Sequence, residues 1–251
     1  MASKEHKKVD FGFADIPAAS KTKKVANIFS RVAPKYDYMN DIMSFGLHRA
    51  WKRYLLRLAN IKPDAKVCDL ASGTGDIALL FAQHLGKSGS ITLSDINAEM
   101  LNIGWDKMLD HGCADIANKV LADAENLPFE SNYFDIVTMG FGLRNVTDKR
   151  KALSEINRIL KPGGVVLIME FSQPRNNLLA TLYDSYSLKV IPKMGDFFVK
   201  DKASYKYLVE SIKRHPNQEK LLGWFYEAGF AKCDVTNIMS GVVAIHRGYK
   251  I

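Results

Sequence analysis

The feature that most constrains the fold of this chain is an alternation of short apolar segments with amphipathic segments between residues 62 and 171. The apolar segments have strand length and include residues 67–71, 90–95 and 133–140, while the segments between them have helical spacing. The strongest strand pattern, residues 164–171, begins at a Pro-Gly-Gly turn. Strands that alternate with helices are typical of βαβ units. We therefore predict an α/β fold with a mainly parallel sheet.

The C-terminal third departs from this alternation. We predict a helical insertion over about residues 175–215, where the sequence is aromatic and has largely helical spacing. A helix over residues 218–228 then precedes two strands, at about residues 230–238 and 242–247. Because no helical pattern separates these strands, we predict that they pair as an antiparallel hairpin at one edge of the sheet.

The N-terminal quarter differs from the rest of the chain in its predicted structure and in its charge. We predict a loose tail over residues 1–20 and a helical lid or cap over residues 21–60, followed by the catalytic domain at residues 61–251. The cap contains an apolar stripe with helical spacing, which we expect either to lie at a membrane surface or to close over the active site. The stripe consists of Val25, Ile28, Phe29 and Val32.

Cysteine usage and hydropathy exclude several classes of protein. The three cysteines, Cys68, Cys113 and Cys233, are scattered and form no CxxC pair, which argues against a disulfide framework or a metal site. The longest aliphatic run, residues 165–169, is far shorter than the ~20 residues of a membrane-spanning helix. The N-terminus also lacks the apolar segment of a signal peptide. We therefore expect a cytoplasmic protein.

The net charge of +8 is concentrated in residues 1–60, which hold 12 Lys/Arg and 5 Asp/Glu. A basic arm of this kind indicates nucleic acid, an anionic membrane surface or simply solubility. The lysine-rich run at residues 21–24 is short, and the sequence contains no RNA-binding module. We therefore expect no nucleic-acid partner.

A glycine-rich turn follows the first strand of the alternating region. In the segment DLASGTGDIA, residues 69–78, Gly73, Gly75 and Ala78 fit the pattern G-x-G-x-x-A, and Asp95 lies 22 residues after Gly73. This is formally a dinucleotide-binding fingerprint in its expected strand–turn–helix context.

Electrostatics indicates which ligand this turn binds. Asp69 at the strand end and Asp76 at the helix N-terminus would repel the pyrophosphate of a dinucleotide. S-adenosylmethionine has no phosphate and carries an ammonium and a sulfonium, which nearby carboxylates favour. Asp95 can accept hydrogen bonds from its ribose hydroxyls. The residues therefore favour a methyl donor over NAD, although Asp76 can also serve as a helix N-cap.

Two further segments carry polar residues at the same sheet edge. Asp123, followed by the small Ala124, suits a hydrogen bond to an adenine amino group, and its alternative role is that of a solvated loop acid. The glycine-flanked loop after the next strand presents Arg144 and Asn145. Arg144 can stabilise a substrate oxyanion, or it can pair with a structural carboxylate.

Several segments together resemble the ubiquinone/menaquinone biosynthesis C-methyltransferases, a family of class I S-adenosylmethionine-dependent methyltransferases. The resemblance runs from about residue 10 to the end of the chain. It implies a Rossmann-like fold, with a seven-stranded sheet, an antiparallel edge hairpin and helices on both faces. It also implies methylation of a ring carbon of a prenylated benzoquinol or naphthoquinol. The matching segments are residues 29–53, 69–78, 141–149, 160–164, 203–212 and 241–250.

The resemblance also implies functional residues. Thr74, Asp95, Asp123 and Ala124 match cofactor contacts of the family, whereas Gly140 stands where the family usually has a serine. With the turn residues, the predicted cofactor site is Asp69, Gly73, Thr74, Gly75, Asp95, Asp123, Ala124 and Gly140. Arg144 and Asn145 are the predicted catalytic residues. The general base stays open among Asp37, Tyr38, His48 and Tyr205.

Several alternatives stay open at this point. The chain could be a methyltransferase for another small or RNA acceptor, or an NAD-dependent oxidoreductase. The expected partners are a prenylated quinol, the inner face of the cell membrane and other quinone-biosynthesis enzymes, and no metal is expected. The sequence leaves open which quinol series is used, the prenyl length and whether the chain forms a homo-oligomer.

Overall fold

The computed structural model describes residues 8–175, 186, 190–193 and 201–251. The strands are β1 (Lys8–Phe11), β2 (Ala14–Pro17), β3 (Lys66–Leu70), β4 (Ser90–Asp95), β5 (Ala117–Leu121), β6 (Phe134–Gly140), β7 (Leu160–Phe171), β8 (Phe230–Ile238) and β9 (Val243–Lys250). The helices are α1 (Ala18–Val32), α2 (Tyr36–Ser44), α3 (Leu47–Ala59), α4 (Asp76–Ala82), α5 (Ala98–Asp110), α6 (Lys149–Ile159), α7 (Lys202–Arg214) and α8 (Gln218–Glu227).

The main sheet has seven strands in the order β5-β4-β3-β6-β7-β9-β8. Strands β3 to β7 are parallel, whereas β9 runs antiparallel to both β7 and β8. The α/β fold and the antiparallel hairpin at one edge are therefore confirmed. The reversal of order at β3 and β6 leaves a crevice outside the carboxyl ends of these strands, where such folds bind ligands.

Strand β7 shows why the sheet could be predicted from the sequence. Its residues from Val165 to Glu170 are all buried, because helices cover both faces of a parallel sheet. Val166 and Ile168 belong to the core cluster on one face, and Leu167 and Met169 belong to the cluster on the other. An uninterrupted apolar run is the pattern that such two-sided burial requires.

The expectation of a loose tail over residues 1–20 is wrong for residues 8–17. These residues form the antiparallel hairpin β1–β2, which packs against α7. The ring of Phe11 stacks on Tyr207 with centroids 4.6 Å apart, and Asp15 pairs with Arg214. The stabilising partners lie almost 200 positions away along the chain, so a local reading of the sequence could not find them.

The apolar stripe of α1 faces the protein. Val25, Ile28 and Val32 are buried against residues of α2 and α7. The expectation that this stripe lies at a membrane surface is therefore wrong. The same helix lies beside the cavities described below. No helix among the described residues combines the length and apolar character needed to cross a bilayer.

The helical insertion expected over about residues 175–215 is described only in part. Residues 176–185, 187–189 and 194–200 of this prediction lie outside the described residues. Within the described part, α7 is helical from Lys202 to Arg214, with Asp201 accepting a hydrogen bond from the backbone of Ser204 as its N-cap.

Candidate active site

Two adjoining cavities lie at the carboxyl edge of β3, β4, β6 and β7. The first has a volume of 390 Å³ and is enclosed by α1, α2, α3, α7 and the ends of the strands. The second has a volume of 100 Å³ and lies around the ends of β4 and β6. The two cavities share part of their walls, so that ligands in them would meet. The shared wall residues are Phe29, Tyr36, Ala71, Gly73, Gly140, Phe141 and Asn145.

The glycine turn between β3 and α4 needs glycine for two reasons. Gly73 and Gly75 have φ angles of +53° and +76°, in the left-handed region that side chains disfavour. A Cβ on Gly75 would also lie 3.0 Å from the Cα of Gly104. The close approach of α5 to the turn therefore depends on two glycines facing each other, and it brings α5 against the site.

Asp95 holds this turn and also faces the second cavity. Its Oδ2 accepts a hydrogen bond from the Gly73 amide at 2.8 Å, and its Oδ1 accepts one from the Asn97 amide at 2.8 Å. Burial raises the pKa of Asp95, and these amide donors oppose the rise. Each carboxylate oxygen accepts two hydrogen bonds, so Asp95 keeps acceptor capacity for a ligand hydroxyl.

Asp123 and Ala124 also line the second cavity, as the sequence predicted of a cofactor site. The Oδ1 of Asp123 accepts a hydrogen bond from the Glu125 amide at 2.9 Å. This contact fixes the turn after β5 and leaves the other carboxylate oxygen able to accept from a ligand. Asp95 and Asp123 thus bring two carboxylates to one small cavity.

The sequence argument against a bound pyrophosphate assumed that the carboxylate of Asp76 is unpaired, but the structure places it in two ion pairs. Its carboxylate lies between Lys52 at 2.7 Å and Lys107, and it caps no helix through its side chain. Burial disfavours its ionisation, but the two ammonium groups outweigh burial and lower the pKa of Asp76 to about 2. Because its charge is compensated within the protein, Asp76 cannot be the reason why a pyrophosphate is excluded.

Asp69 and Thr74 lie in the wall of the first cavity with protein partners on their polar atoms. Asp69 accepts hydrogen bonds from the Thr138 hydroxyl at 2.8 Å and the Ala78 amide at 3.2 Å, and burial raises its pKa to about 7. The Thr74 hydroxyl donates to Asp37 at 2.6 Å. These contacts brace the start of α4 and tie the glycine turn to α2.

Arg144 is buried and paired with a carboxylate. Its Nη1 donates to Oε1 of Glu170 at 2.8 Å and to the carbonyl of Phe141, while its backbone amide donates to Oε2 of Glu170 at 3.2 Å. The alternative of a structural ion pair is therefore the observed one. Arg144 nevertheless lines the first cavity, and its buried Nε has no hydrogen-bond partner.

Asn145 and Gly140 lie where the two cavities meet. The Oδ1 of Asn145 accepts a hydrogen bond from the Tyr207 hydroxyl at 3.1 Å, which links the loop after β6 to α7. At Gly140, a Cβ would lie 2.3 Å from the Cδ1 of Ile77. In this structure the end of the Ile77 side chain occupies the space that a serine Cβ at position 140 would need, so a serine there would require Ile77 to shift.

The remaining wall of the first cavity is aromatic. Phe141, Phe171 and Trp51 form a triangle of rings: the centroid of Phe141 lies 4.6 Å from that of Phe171 and 6.4 Å from that of Trp51, and the latter two are 6.5 Å apart. Tyr205 and Tyr207 of α7 close the cavity from the other side. Such a wall suits a flat, largely apolar ring with one or two polar substituents.

The geometry separates the four base candidates. Tyr38 is exposed and outside both cavity walls, and Asp37 is occupied by Thr74 and Lys107. Burial raises the pKa of Tyr205, so its phenolate is scarce at neutral pH. His48 lines the first cavity, and its Nε2 lies 2.9 Å from Oδ1 of Asp41.

The sequence reasoning missed Glu170, Lys52 and Lys107. Glu170 had a signal, because it is a charged residue inside the apolar run of β7 and such a residue needs a buried partner. Lys52 and Lys107 lie on helices with many exposed charges, and nothing local distinguishes them. No cluster of His, Cys, Asp and Glu side chains suited to a metal ion was found in the part of the chain that the structure describes.

Known proteins resemble this chain in sequence and in fold. The model of the ubiE/COQ5 methyltransferase family matches residues 18–250. A ubiquinone/menaquinone biosynthesis C-methyltransferase UbiE of Shewanella sp. (strain ANA-3) is 50% identical over 250 residues, 100% of each chain. The protein of the same name from Francisella philomiragia is 50% identical over 248 residues, 99% of each chain.

Solved structures share the fold at low sequence identity. A SAM-dependent methyltransferase from Aquifex aeolicus has a TM-score of 0.60 and 16% identity, and the match covers 80% of this chain and 89% of that one. A possible histamine N-methyltransferase from Thermotoga maritima has a TM-score of 0.63 and 20% identity, covering 90% and 99%. The solved structures show that the fold is shared, and the family model and the two relatives show that this chain belongs to the ubiE/COQ5 methyltransferase family.

Proposed function

We propose that this chain transfers a methyl group from S-adenosylmethionine to a ring carbon of a prenylated quinol. The observation that carries the proposal is the junction of two cavities, a small one with Asp95 and Asp123 in its wall and a large one with aromatic rings in its wall. They meet at Gly73 and Gly140, so that a methyl donor in one would face an acceptor ring in the other.

The second cavity fits the donor. Asp95 and Asp123 supply the hydrogen-bond acceptors that ribose hydroxyls and an adenine amino group need, and Ala124 allows close approach. Near the turn, the buried Ser72 hydroxyl has no hydrogen-bond partner and is available to a ligand. Bound there, S-adenosylmethionine supplies an electrophilic methyl group. Asp69 and Thr74, which the sequence predicts as cofactor contacts, support the shape of this site through their hydrogen bonds to the protein.

The first cavity fits the quinol. Phe141, Phe171 and Trp51 pack against the ring, while Arg144 and Asn145 lie at its polar end, beside the donor cavity. The free Nε of Arg144 can donate to a quinol oxygen as negative charge develops on it. Orientation of the two reactants alone is worth about 7–11 kcal/mol of the barrier.

His48 is the group that takes the proton of the quinol hydroxyl. A carboxylate only accepts hydrogen bonds, so the contact with Asp41 places the imidazole proton on Nε2 and leaves Nδ1 as the basic nitrogen. Nδ1 is buried and has no hydrogen-bond partner. When it accepts the hydroxyl proton, the electron pair left on oxygen makes the ring carbon nucleophilic. After the ring carbon has taken the methyl group from the sulfonium, it loses its own hydrogen as a proton and the oxygen regains one, so that the aromatic quinol is restored and one proton is released overall.

The function is tested by a direct assay. Methyl transfer from labelled S-adenosylmethionine is measured side by side with demethylmenaquinol and with 2-polyprenyl-6-methoxy-1,4-benzoquinol. We expect label in the ring methyl of one or both quinols and none with the oxidised quinones, because a quinone has no hydroxyl proton to remove. Label on neither quinol, together with transfer to an RNA or another soluble acceptor, would replace this function.

Asp95→Ala is expected to weaken binding of S-adenosylmethionine by about 1.5–3 kcal/mol, the range for hydrogen bonds to a charged group. Titration calorimetry measures this change. The matched control is Asp106→Ala, which removes an exposed carboxylate on the neighbouring helix α5 and should leave the affinity unchanged. Equal affinities for the wild type and the Asp95 variant would remove Asp95 from the cofactor site.

The prenyl tail keeps such a quinol in the lipid bilayer. We therefore propose that the chain works in the cytoplasm against the inner face of the cell membrane. Contacts with other enzymes of quinone biosynthesis and self-association stay predictions.

A further inference from the structure

Three apolar side chains border the opening of the first cavity. Phe45, Leu47 and Met239 belong to its wall, and yet 79%, 40% and 47% of their surfaces are exposed. A residue that both lines a cavity and meets solvent lies at its mouth. The mouth of the aromatic cavity is therefore apolar on its outer side as well.

Phe45 is the most prominent of the three. It lies in the turn between α2 and α3 in the left-handed conformation, with φ +52°, which is uncommon for a bulky residue. Among the large hydrophobic residues that the structure describes, only the C-terminal Ile251 is more exposed. The turn thus holds a mostly exposed aromatic ring beside the cavity, with its centroid 6.5 Å from that of the Tyr186 ring.

A row of arginines begins next to this turn. Arg49, Arg53 and Arg57 are spaced four residues apart on α3 and are all exposed, so they follow one face of the helix. Arg49 pairs with Asp41. Arg53 and Arg57 form no ion pair with any residue in the described ranges. Tyr54 is exposed on the same helix, between these two arginines.

We propose that the α2–α3 turn and the exposed face of α3 dock on an anionic lipid bilayer, with Phe45 and Leu47 inserted among the acyl chains. The docking face consists of Phe45, Leu47, Arg53, Tyr54, Arg57 and Met239. The proposal rests on the proposed function, because a prenylated quinol resides in the bilayer. Docking in this way turns the cavity mouth toward the substrate, which then enters without crossing water.

The composition of the docking face favours lipid over other partners. Apolar side chains at the tip and cations along the flank match acyl chains below charged headgroups. A nucleic-acid duplex is bound mainly by cations at its phosphates, and the exposed aliphatic side chains of Leu47 and Met239 would contribute little to such binding. The positive charge of α1 contributes less to attraction by an anionic bilayer than its sequence suggests, because Lys21 is buried and paired with Asp10.

Sedimentation with vesicles tests the proposal on the full chain. Vesicles of phosphatidylcholine alone are compared with vesicles containing phosphatidylglycerol, at low and high salt. We expect binding to the anionic vesicles that weakens with salt, since the Debye length shrinks to about 3 Å at 1 M. Arg53→Glu with Arg57→Glu should lower this binding about tenfold or more. Phe45→Ser should lower it at both salt concentrations.

Matched controls place the same changes elsewhere on the surface. Lys87→Glu with Lys232→Glu reverses two exposed charges, one before β4 and one near the start of β8, at the edge of the sheet opposite the cavities, and Leu109→Ser removes an exposed apolar side chain from α5. These variants should bind anionic vesicles like the wild type. Equal losses in the controls and in the docking-face variants would overturn the assignment of this surface.

A comparison of a quinol in solution with a quinol in vesicles distinguishes the docking proposal from the proposed function. The Arg53/Arg57 variant should methylate a short-chain quinol in solution at the wild-type rate and a long-chain quinol in vesicles more slowly. Negligible binding of the wild type to both vesicle types at low salt would overturn the docking proposal, while methylation of the short-chain quinol would leave the function standing. Self-association that Phe45→Ser abolishes, without vesicle binding, would assign the face to a second copy.

Discussion

Replacing His48 by asparagine is expected to slow quinol methylation by about 10²–10⁴-fold, the contribution of a positioned general base. Asparagine can still donate to Asp41 but has no basic nitrogen to accept the quinol proton. The affinity for S-adenosylmethionine should not change, because His48 lies outside the wall of the second cavity. Single-turnover methylation measures the rate and calorimetry measures the affinity. His84→Asn, which removes an exposed imidazole, is the matched control.

The pH dependence of the same reaction identifies the base. Burial and the neighbouring Lys52 lower the pKa of His48, against the opposite effects of Asp41 and Asp76. A base acts in its neutral form, so the rate should rise with pH through an apparent pKa below the ordinary value of about 6.5. This limb should be absent in His48→Asn and displaced in Asp41→Asn. A wild-type pH profile in His48→Asn, with near-normal turnover, would return His48 to a structural role.

Glu170→Gln is expected to destabilise the protein by about 3–5 kcal/mol, the cost of breaking a buried ion pair from one side. The guanidinium of Arg144 would remain buried with its positive charge uncompensated, since Glu170 and Arg144 are 1% and 3% exposed. Urea unfolding measures the loss. Glu219→Gln breaks a pair with Arg175 in which both side chains are mostly exposed, and it should change stability little.

A double variant separates charge from shape at the Arg144–Glu170 pair. Arg144→Leu with Glu170→Leu removes both charges, and its unfolding free energy should exceed that of Glu170→Gln alone. Its methylation rate should stay low, because the free Nε of Arg144 is lost with the charge. If the double variant were no more stable than Glu170→Gln, packing rather than charge would explain the loss.

The sequence predicted those features whose cause is local. The apolar run of β7, the glycines at positive φ in the turn and the closing hairpin each leave a pattern within a few residues. The position of Asp95 and Asp123 at the carboxyl edge of the sheet was predictable for the same reason, because Asp95 ends β4 and Asp123 follows β5. Their arrival at one cavity follows from the parallel order of those strands.

The features that escaped prediction depend on partners distant in the sequence. The hairpin at residues 8–17 is held by α7, and Glu170, the carboxylate that pairs with Arg144, comes from β7. The prediction for Asp76 was incomplete for the same reason, because its partners are also distant in the sequence. The sequence pointed to a methyl donor, but part of that reasoning assumed a free carboxylate that Lys52 and Lys107 neutralise.

The position of α1 has a kinetic consequence. Its side chains contribute to the walls of both cavities, and Asn97 at the start of α5 donates hydrogen bonds to Ala26 and Ser30 on it, each at 3.0 Å. One helix therefore forms part of both walls, and a displacement of α1 would open the two cavities together. We expect release of the two products to depend on that one displacement.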